Sequence, residues 1–246
     1  MRRSDPVLSS PPRDPCFFST DFIPRRSKLS SGISRRRSSS APVVGILGGI
    51  GSGKSSVVKR VEGLKIRILD ADRIGHELLS DPVIVAAILE RFGKEIADEK
   101  GKICRSALAD RVFGATDEHK TAKRDLEALL HPGIRQEIKA GIRTTPPDVD
   151  VVILDAALLL EAGWDSVCDI LIFIDAPEQV RRERVMRNRN WPPDELRRRE
   201  ATQFSIEKKK QAADYVVDNS ESIKSAADEL TRILRKIVDG KDAGNP

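Results

Sequence analysis

Cysteine is scarce, and the three present, Cys16, Cys104 and Cys168, fall at no metal-binding or redox spacing. An odd and widely scattered set argues against a disulfide framework and fits a reducing compartment. Histidine is as scarce: His76, His119 and His131 form no His-x-x-x-His pair, which speaks against a zinc enzyme. Aromatic residues make up only 4% of the chain, leaving few platforms on which nucleic-acid bases stack. No apolar run approaches the roughly 20 residues that span a bilayer, so a soluble protein is expected. The Asn-Lys-x-Asp signature of guanine recognition is missing too.

What remains is a chain of 246 residues with 39% apolar content, enough for a real core. Its formal charge of +5 is unevenly placed. Residues 1–41 hold nine of the 43 Lys and Arg and three of the 38 Asp and Glu, a net of +6, so the rest of the chain sums to −1. That extension also carries eleven serines and little apolar periodicity, the composition of a disordered segment. It reads as a transit peptide, as a dispensable or regulatory extension, or as sequence ahead of a downstream start. The cytoplasm is the expected compartment, an organelle the alternative if residues 1–41 direct the chain there.

From Pro42 the pattern becomes regular. Val43–Leu47, Ile66–Leu69, Val151–Leu154, Ile170–Ile174 and Tyr215–Val217 are short apolar, β-branched runs that read as buried parallel strands. Between them Lys54–Glu62, Val83–Phe92, Arg105–Phe113, Thr121–Leu130, Gly133–Ala140 and Ser222–Val238 carry helical periodicity, with a break expected at His131-Pro132. Pro177 opens an Arg-rich helical stretch that runs to about Gln203. Alternating strand and helix predicts an α/β fold, a parallel sheet covered on both faces. The helical stretch between the second and third strands is too long for a crossover and is expected to form a subdomain.

The strongest chemical signal is Gly48-Gly-Ile-Gly-Ser-Gly-Lys54-Ser55, which fits the Walker A pattern G-x-x-x-x-G-K-[ST] between a strand and a helix. Its glycines let successive amides curl around phosphates as an anion nest. Lys54 is expected to reach the β- and γ-phosphates, and the Ser55 hydroxyl to ligate Mg²⁺. Gly49, Ile50, Gly51, Ser52, Gly53, Lys54, Ser55 and Ser56 are the candidate ATP-binding residues of this loop.

A phosphate loop serves kinases, GTPases and motors alike, so the acceptor side must decide. Asp70-Ala-Asp72 closes the second strand, whose carboxyl end faces the ligand crevice in such sheets. Asp72 is the candidate general base and Asp70 a candidate member of the metal shell; a helix cap at Asp72 is the simpler role for the same residue. Two rivals are another small-acceptor kinase, disfavoured by the large insertion, and an RNA-binding protein. The second suffers from few aromatics and from a basic excess confined to residues 1–41.

In order along the chain, GGIGSGKS at 48–55, DAD at 70–72, LLHPGI at 129–134, LLLEAGW at 158–164 and ADYVVDN at 213–219 resemble the dephospho-CoA kinases, from Val43 to about Ile237. The resemblance implies ATP-dependent phosphorylation of the ribose 3′-hydroxyl of dephospho-CoA. It also implies a P-loop three-layer α/β/α fold with a five-stranded parallel sheet, a helical CoA-binding insertion and a lid. On this chain those correspond to a kinase domain over 42–240, with core 42–72, 150–177 and 213–240, insertion 73–145 and lid about 178–212.

Position by position, Asp72 matches the family's catalytic base and Arg184 the lid arginine that meets the transferring phosphates. Arg181, Arg182 and Arg187 stand near enough to take that place. Arg105 and His131 match residues on the acceptor side, although His131-Pro132 also reads as a helix break. Asn219 stands where the adenine-binding loop begins. Asp155, after an apolar strand, looks like a Walker B aspartate for Mg²⁺, and Gln203 and Lys209 support the lid. Ala157 and Leu160 depart from the family's Pro-Leu-Leu-Phe-Glu, which bears on the local turn. The implied partners are ATP with Mg²⁺ and dephospho-CoA, with neither nucleic acid nor membrane, in a monomer or weak homo-oligomer.

Overall fold

The computed structural model describes residues 41–114, 116–192 and 194–240. The basic extension of residues 1–41 lies, but for Ala41, outside the described residues. Among them no helix is long and apolar enough to cross a membrane.

The first strand, β1 (Val43–Gly48), is buried along its whole length, as a strand covered on both faces must be. With β2 (Ile66–Asp70), β3 (Val151–Asp155), β4 (Ile170–Asp175) and β5 (Tyr215–Asp218) it forms one sheet in the order β2-β3-β1-β4-β5. Every pairing is parallel. The α/β class and the five-stranded parallel sheet thus stand as expected. The chain first crosses from β1 to one side and later to the other. That reversal opens a crevice at the carboxyl end of β1.

Side chains alternate across the sheet. Val44, Ile46, Ile153, Ile172 and Val217 pack with Val57 of α1 (Lys54–Val58) and with Leu230 and Leu234 of α9 (Ile223–Val238). Leu47, Val152, Leu154 and Phe173 turn the other way, onto Ile74 of α2 (Ala71–Leu78) and Ile134 and Ile138 of α5 (Asp117–Arg143). Each such side chain stabilises the fold by about 1.5–3 kcal/mol. A third cluster, Ile88, Phe92, Ile96, Leu108 and Val112, belongs to α3 (Pro82–Phe92), α4 (Arg105–Val112) and the turn between them. Leu126, Leu129 and Leu130 of α5 close it. One helix therefore serves two cores, its first half in the insertion and its second on the sheet.

That double duty explains one correction. The break expected at His131-Pro132 is absent: α5 runs for 27 residues with Pro132 inside it. A proline removes a single N–H donor, and packing on both sides of it holds the helix together. Two other helices end sooner than their composition suggests. The α1 helix stops at Val58, and tighter turns carry the chain on, Arg60 N donating to Val57 O and Val61 N to Val58 O. The Arg-rich stretch is split into α6 (Glu178–Arg189) and α7 (Glu195–Glu200), followed by α8 (Ile206–Ala212). Asn190 ends α6 in a left-handed conformation, φ 51°, with Pro192 close behind. Trp191 in the gap takes the guanidinium groups of Arg189 and Arg199 at 5.0 and 4.4 Å from its ring centre, joining α6 to α7.

Candidate active site

The loop from Gly48 to Gly53 follows β1 and leads into α1. Gly51 and Gly53 adopt φ 78° and 88°, the left-handed region that side chains enter at a cost. Space is as tight as conformation. A Cβ on Gly53 would stand 2.5 Å from Asn219 Nδ2, and one on Gly51 would stand 2.7 Å from the Arg181 carbonyl oxygen.

Three carboxylates gather where the neighbouring strands end. Asp70 and Asp155 are register partners on β2 and β3. Ser55 Oγ donates to Asp155 Oδ2 at 2.6 Å, linking the phosphate loop to the third strand. Asp70 caps α2, accepting from Arg73 N at 2.9 Å. The cap expected at Asp72 is thus made by Asp70, because the helix begins two residues earlier, at Ala71. Asp72 stands in the first turn, open to solvent. Although one side of it meets solvent, the protein packed around the rest partly desolvates its carboxyl and pushes it above the ordinary aspartate range, and Asp70 and Asp155 push the same way. Lys54 and the Ala157 amide oppose them.

Burial is likewise the main influence on Lys54, lowering its pKa. Asp155 acts against that; Lys209 lowers it further, Asp72 raises it and Arg189 lowers it. Asp72 therefore feels the charges of Lys54, Asp70 and Asp155, and Lys54 those of Asp72 and Asp155. This is one electrostatic site.

Helix α6 lies against the loop. Arg181 is buried, pairs with Glu200 of α7, and donates to the carbonyls of Ala176 at 3.1 Å and Ile50 at 3.3 Å. Arg184 donates to Ser52 O at 3.3 Å and Asn219 O at 3.0 Å. Arg182 and Arg187 are exposed. Arg184 and Arg181 thus both touch the loop, and Arg181 is the one already held by a carboxylate.

A family model described as dephospho-CoA kinase matches residues 42–225. A dephospho-CoA kinase of Corynebacterium diphtheriae is 35% identical over 197 residues, 79% of this chain and 94% of its own length. One from Carboxydothermus hydrogenoformans is 34% identical over the same shares. The chain belongs to the dephospho-CoA kinase family. Its members are ATP-dependent kinases, and the loop, lysine and acids above are the parts such a reaction needs. A solved protein from Thermus thermophilus superposes with a TM-score of 0.65 at 28% identity, covering 80% of this chain and 98% of its own. A dephospho-CoA kinase from Campylobacter jejuni shares the fold, with a TM-score of 0.61 at 24% identity over 81% of this chain and 98% of its own.

On this kinase the remaining candidates fall at different distances from the loop's chemistry. Arg105 opens α4, exposed on the insertion. His131 sits midway along α5, edge-on to Trp164 at 5.4 Å between ring centres, and burial lowers its pKa. Neither hydrogen-bonds to the phosphate loop among the described residues. Asn219 is fully buried beneath the loop, its Nδ2 donating to Ser52 O at 2.6 Å. Ser56 is exposed on α1. A cavity of about 690 Å³ is lined by insertion residues, among them Arg91, Phe92, Arg111 and His119, and by none of the loop.

Lys209 is buried, donates to Gln203 Oε1 at 2.8 Å and pairs with Glu161 Oε1 at 3.1 Å. Glu161 Oε1 also accepts from Phe204 N at 2.8 Å. This knot ties the segment after β3 to the return of the Arg-rich stretch. Glu161 was visible in the sequence only as the end of an apolar block, and nothing there pointed to its partner 48 positions on. Lys209→Met strands a buried carboxylate. The expected cost is about 3 kcal/mol of unfolding free energy, read from the urea midpoint.

Proposed function

We propose that Asp72 is the general base, Lys54 and Arg184 the cations that meet the phosphates, and Ser55 with Asp155 the pair that holds magnesium. The reaction is transfer of the ATP γ-phosphoryl group to the ribose 3′-hydroxyl of 3′-dephospho-CoA, giving CoA and ADP. The observation that supports this division of labour is the environment of Asp72. It is the acid beside the loop that is open to an incoming alcohol, and its raised pKa improves it as a proton acceptor. Asp70 and Asp155 are instead engaged, one as a helix cap and one with Ser55.

The donor set fits magnesium. One hydroxyl bonded to one carboxylate suits an ion that takes its other ligands from water and substrate phosphates. Ser55 and Asp155 would hold the ion, which when bound would supply charge neutralisation to the nucleotide's phosphates. Asp70, held by the Arg73 amide, is left an outer role. Asp155→Asn is expected to raise the magnesium concentration for half-maximal activity roughly tenfold, with partial recovery in excess magnesium. A titration of rate against Mg²⁺ reads this directly.

Lys54 stays beside the phosphates throughout. Arg184, from the Arg-rich segment over about 178–212, supplies a planar guanidinium at the edge of the loop as charge spreads over the transferring group. Arg105 and His131 belong to the acceptor side, carried by the insertion over 73–145. Three cysteines, odd in number and at no redox spacing, support a reducing compartment such as the cytoplasm. Turnover with Mg-ATP and dephospho-CoA, set against adenosine, AMP and a sugar acid, tests the reading. Equal rates with the small acceptors would sink it.

A further inference from the structure

An anion nest works only if its amide N–H groups point at the phosphates. In a trans peptide the C=O points opposite to the following N–H, and every described peptide here is trans. Whatever holds a loop carbonyl from outside therefore aims the next amide inward. The two planes that end in left-handed glycines, Ile50–Gly51 and Ser52–Gly53, are the ones freest to flip, because glycine has no Cβ to resist it. Both have a side-chain donor on the carbonyl. Arg181 holds Ile50 O at 3.3 Å; Asn219 holds Ser52 O at 2.6 Å, the shorter of two bonds to that oxygen, with Arg184 Nη1 on it at 3.3 Å.

We propose that Asn219 is a positioning residue for the phosphate loop: it locks the Ser52–Gly53 peptide plane from behind, so that the Gly53 amide faces the nucleotide's phosphates, and it makes no contact with the base. Arg181 does the same for Ile50–Gly51. The inference rests on the loop being the nucleotide's phosphate site and assigns Asn219 a role there. Four observations carry it. Asn219 is wholly buried. Its amide nitrogen would be 2.5 Å from a Cβ on Gly53, so it fills the space beneath that plane. Its backbone is fixed at both ends, N donating to Asp175 O at 2.8 Å and O accepting from Arg184 Nη2 at 3.0 Å. Its Oδ1 is buried with no partner among the described residues. An orphaned acceptor costs stability, and an apolar side chain of similar size would avoid that cost. The gain from asparagine lies in its donor on the loop.

The test separates phosphate from base and leaves the acceptor out, so it stands or falls apart from the 3′-hydroxyl reading. Dissociation constants for inorganic tripolyphosphate and for adenosine are measured by calorimetry on the full chain and on Asn219→Leu and Asn219→Ser. The tripolyphosphate constant is expected to rise roughly tenfold in both variants. The adenosine constant should change by less than about twofold, and the thermal midpoint of Asn219→Leu should not fall. A loss of adenosine affinity as large as the loss for tripolyphosphate makes Asn219 a base contact and overturns the proposal. Unchanged constants in folded protein overturn it as well, leaving Asn219 as core filler. Should the leucine variant not fold, the serine variant, too short to reach Ser52 O, carries the same comparison.

Discussion

Asp72→Asn is expected to lower kcat by about 10²–10⁴-fold, the range over which a positioned base accelerates proton transfer. The dissociation constant for Mg-ATP should stay within about twofold, because the proposed role of Asp72 is toward the acceptor and asparagine keeps its shape. Retention of more than about a tenth of the native rate removes Asp72 as the base. The same variant carries a second signature. Burial, with Asp70 and Asp155 close by, raises the folded-state pKa of Asp72 above its unfolded value. An ionised Asp72 therefore costs stability above the unfolded pKa, and below it, where both states are protonated, the cost vanishes. Because Asp72 is partly exposed and solvent screens its charge, the asparagine variant should melt only slightly higher than the native protein near neutral pH. That advantage should shrink as pH falls through the folded-state pKa of Asp72, and thermal scans across pH read it.

Lys54→Met is expected to reduce kcat/KM for ATP by about 10²–10³-fold, as when one preorganised donor to a transition-state oxygen is lost. Lys54 is held beside Asp155 and Asp72 at the price of burial, so its removal should not lower the thermal midpoint. A kinetic collapse without a structural one is the expected signature. Lys54→Arg should not restore the rate, since a planar fork does not replace a compact ammonium in so tight a loop. Steady-state rates against ATP for both variants make the comparison. Activity within about tenfold of native in Lys54→Met would show that Arg184 or the bound ion carries the phosphate charge instead.

Much of the site was legible because its residues are near one another in the chain. The loop glycines, Lys54 and Ser55 form one motif, and Asp72 follows the next strand by a fixed step. Local chemistry misplaced the cap. Both Asp70 and Asp72 suit that position, and only the start of α2 at Ala71 decides between them. Pro132 misled in the opposite way: its ring predicts a break, yet cores on both sides keep α5 whole. The arginines were the hardest to tell apart. Arg181 and Arg184 are one helical turn apart and chemically identical, and their roles diverge through Glu200 and Asn219, which the sequence places 19 and 35 positions away.

The sequence alone determined the glycine-rich loop after the first strand, the acid that follows the second and the α/β class, because each rests on short-range spacing and on strand or helix periodicity. The family resemblance came from the same blocks read in order. Tertiary structure alone decided the strand order β2-β3-β1-β4-β5, the pairing of Asp70 with Asp155 at adjacent strand ends, and the bond from Ser55 to Asp155. It also decided what stands behind the loop. Asn219 lies 167 positions from Ser52, and although the family resemblance set both at the nucleotide site, nothing in the chain pointed to the bond between them. The physical reason is the same throughout: a peptide's own geometry sets what neighbours can do, whereas packing and the need to satisfy buried carbonyls choose the distant partners.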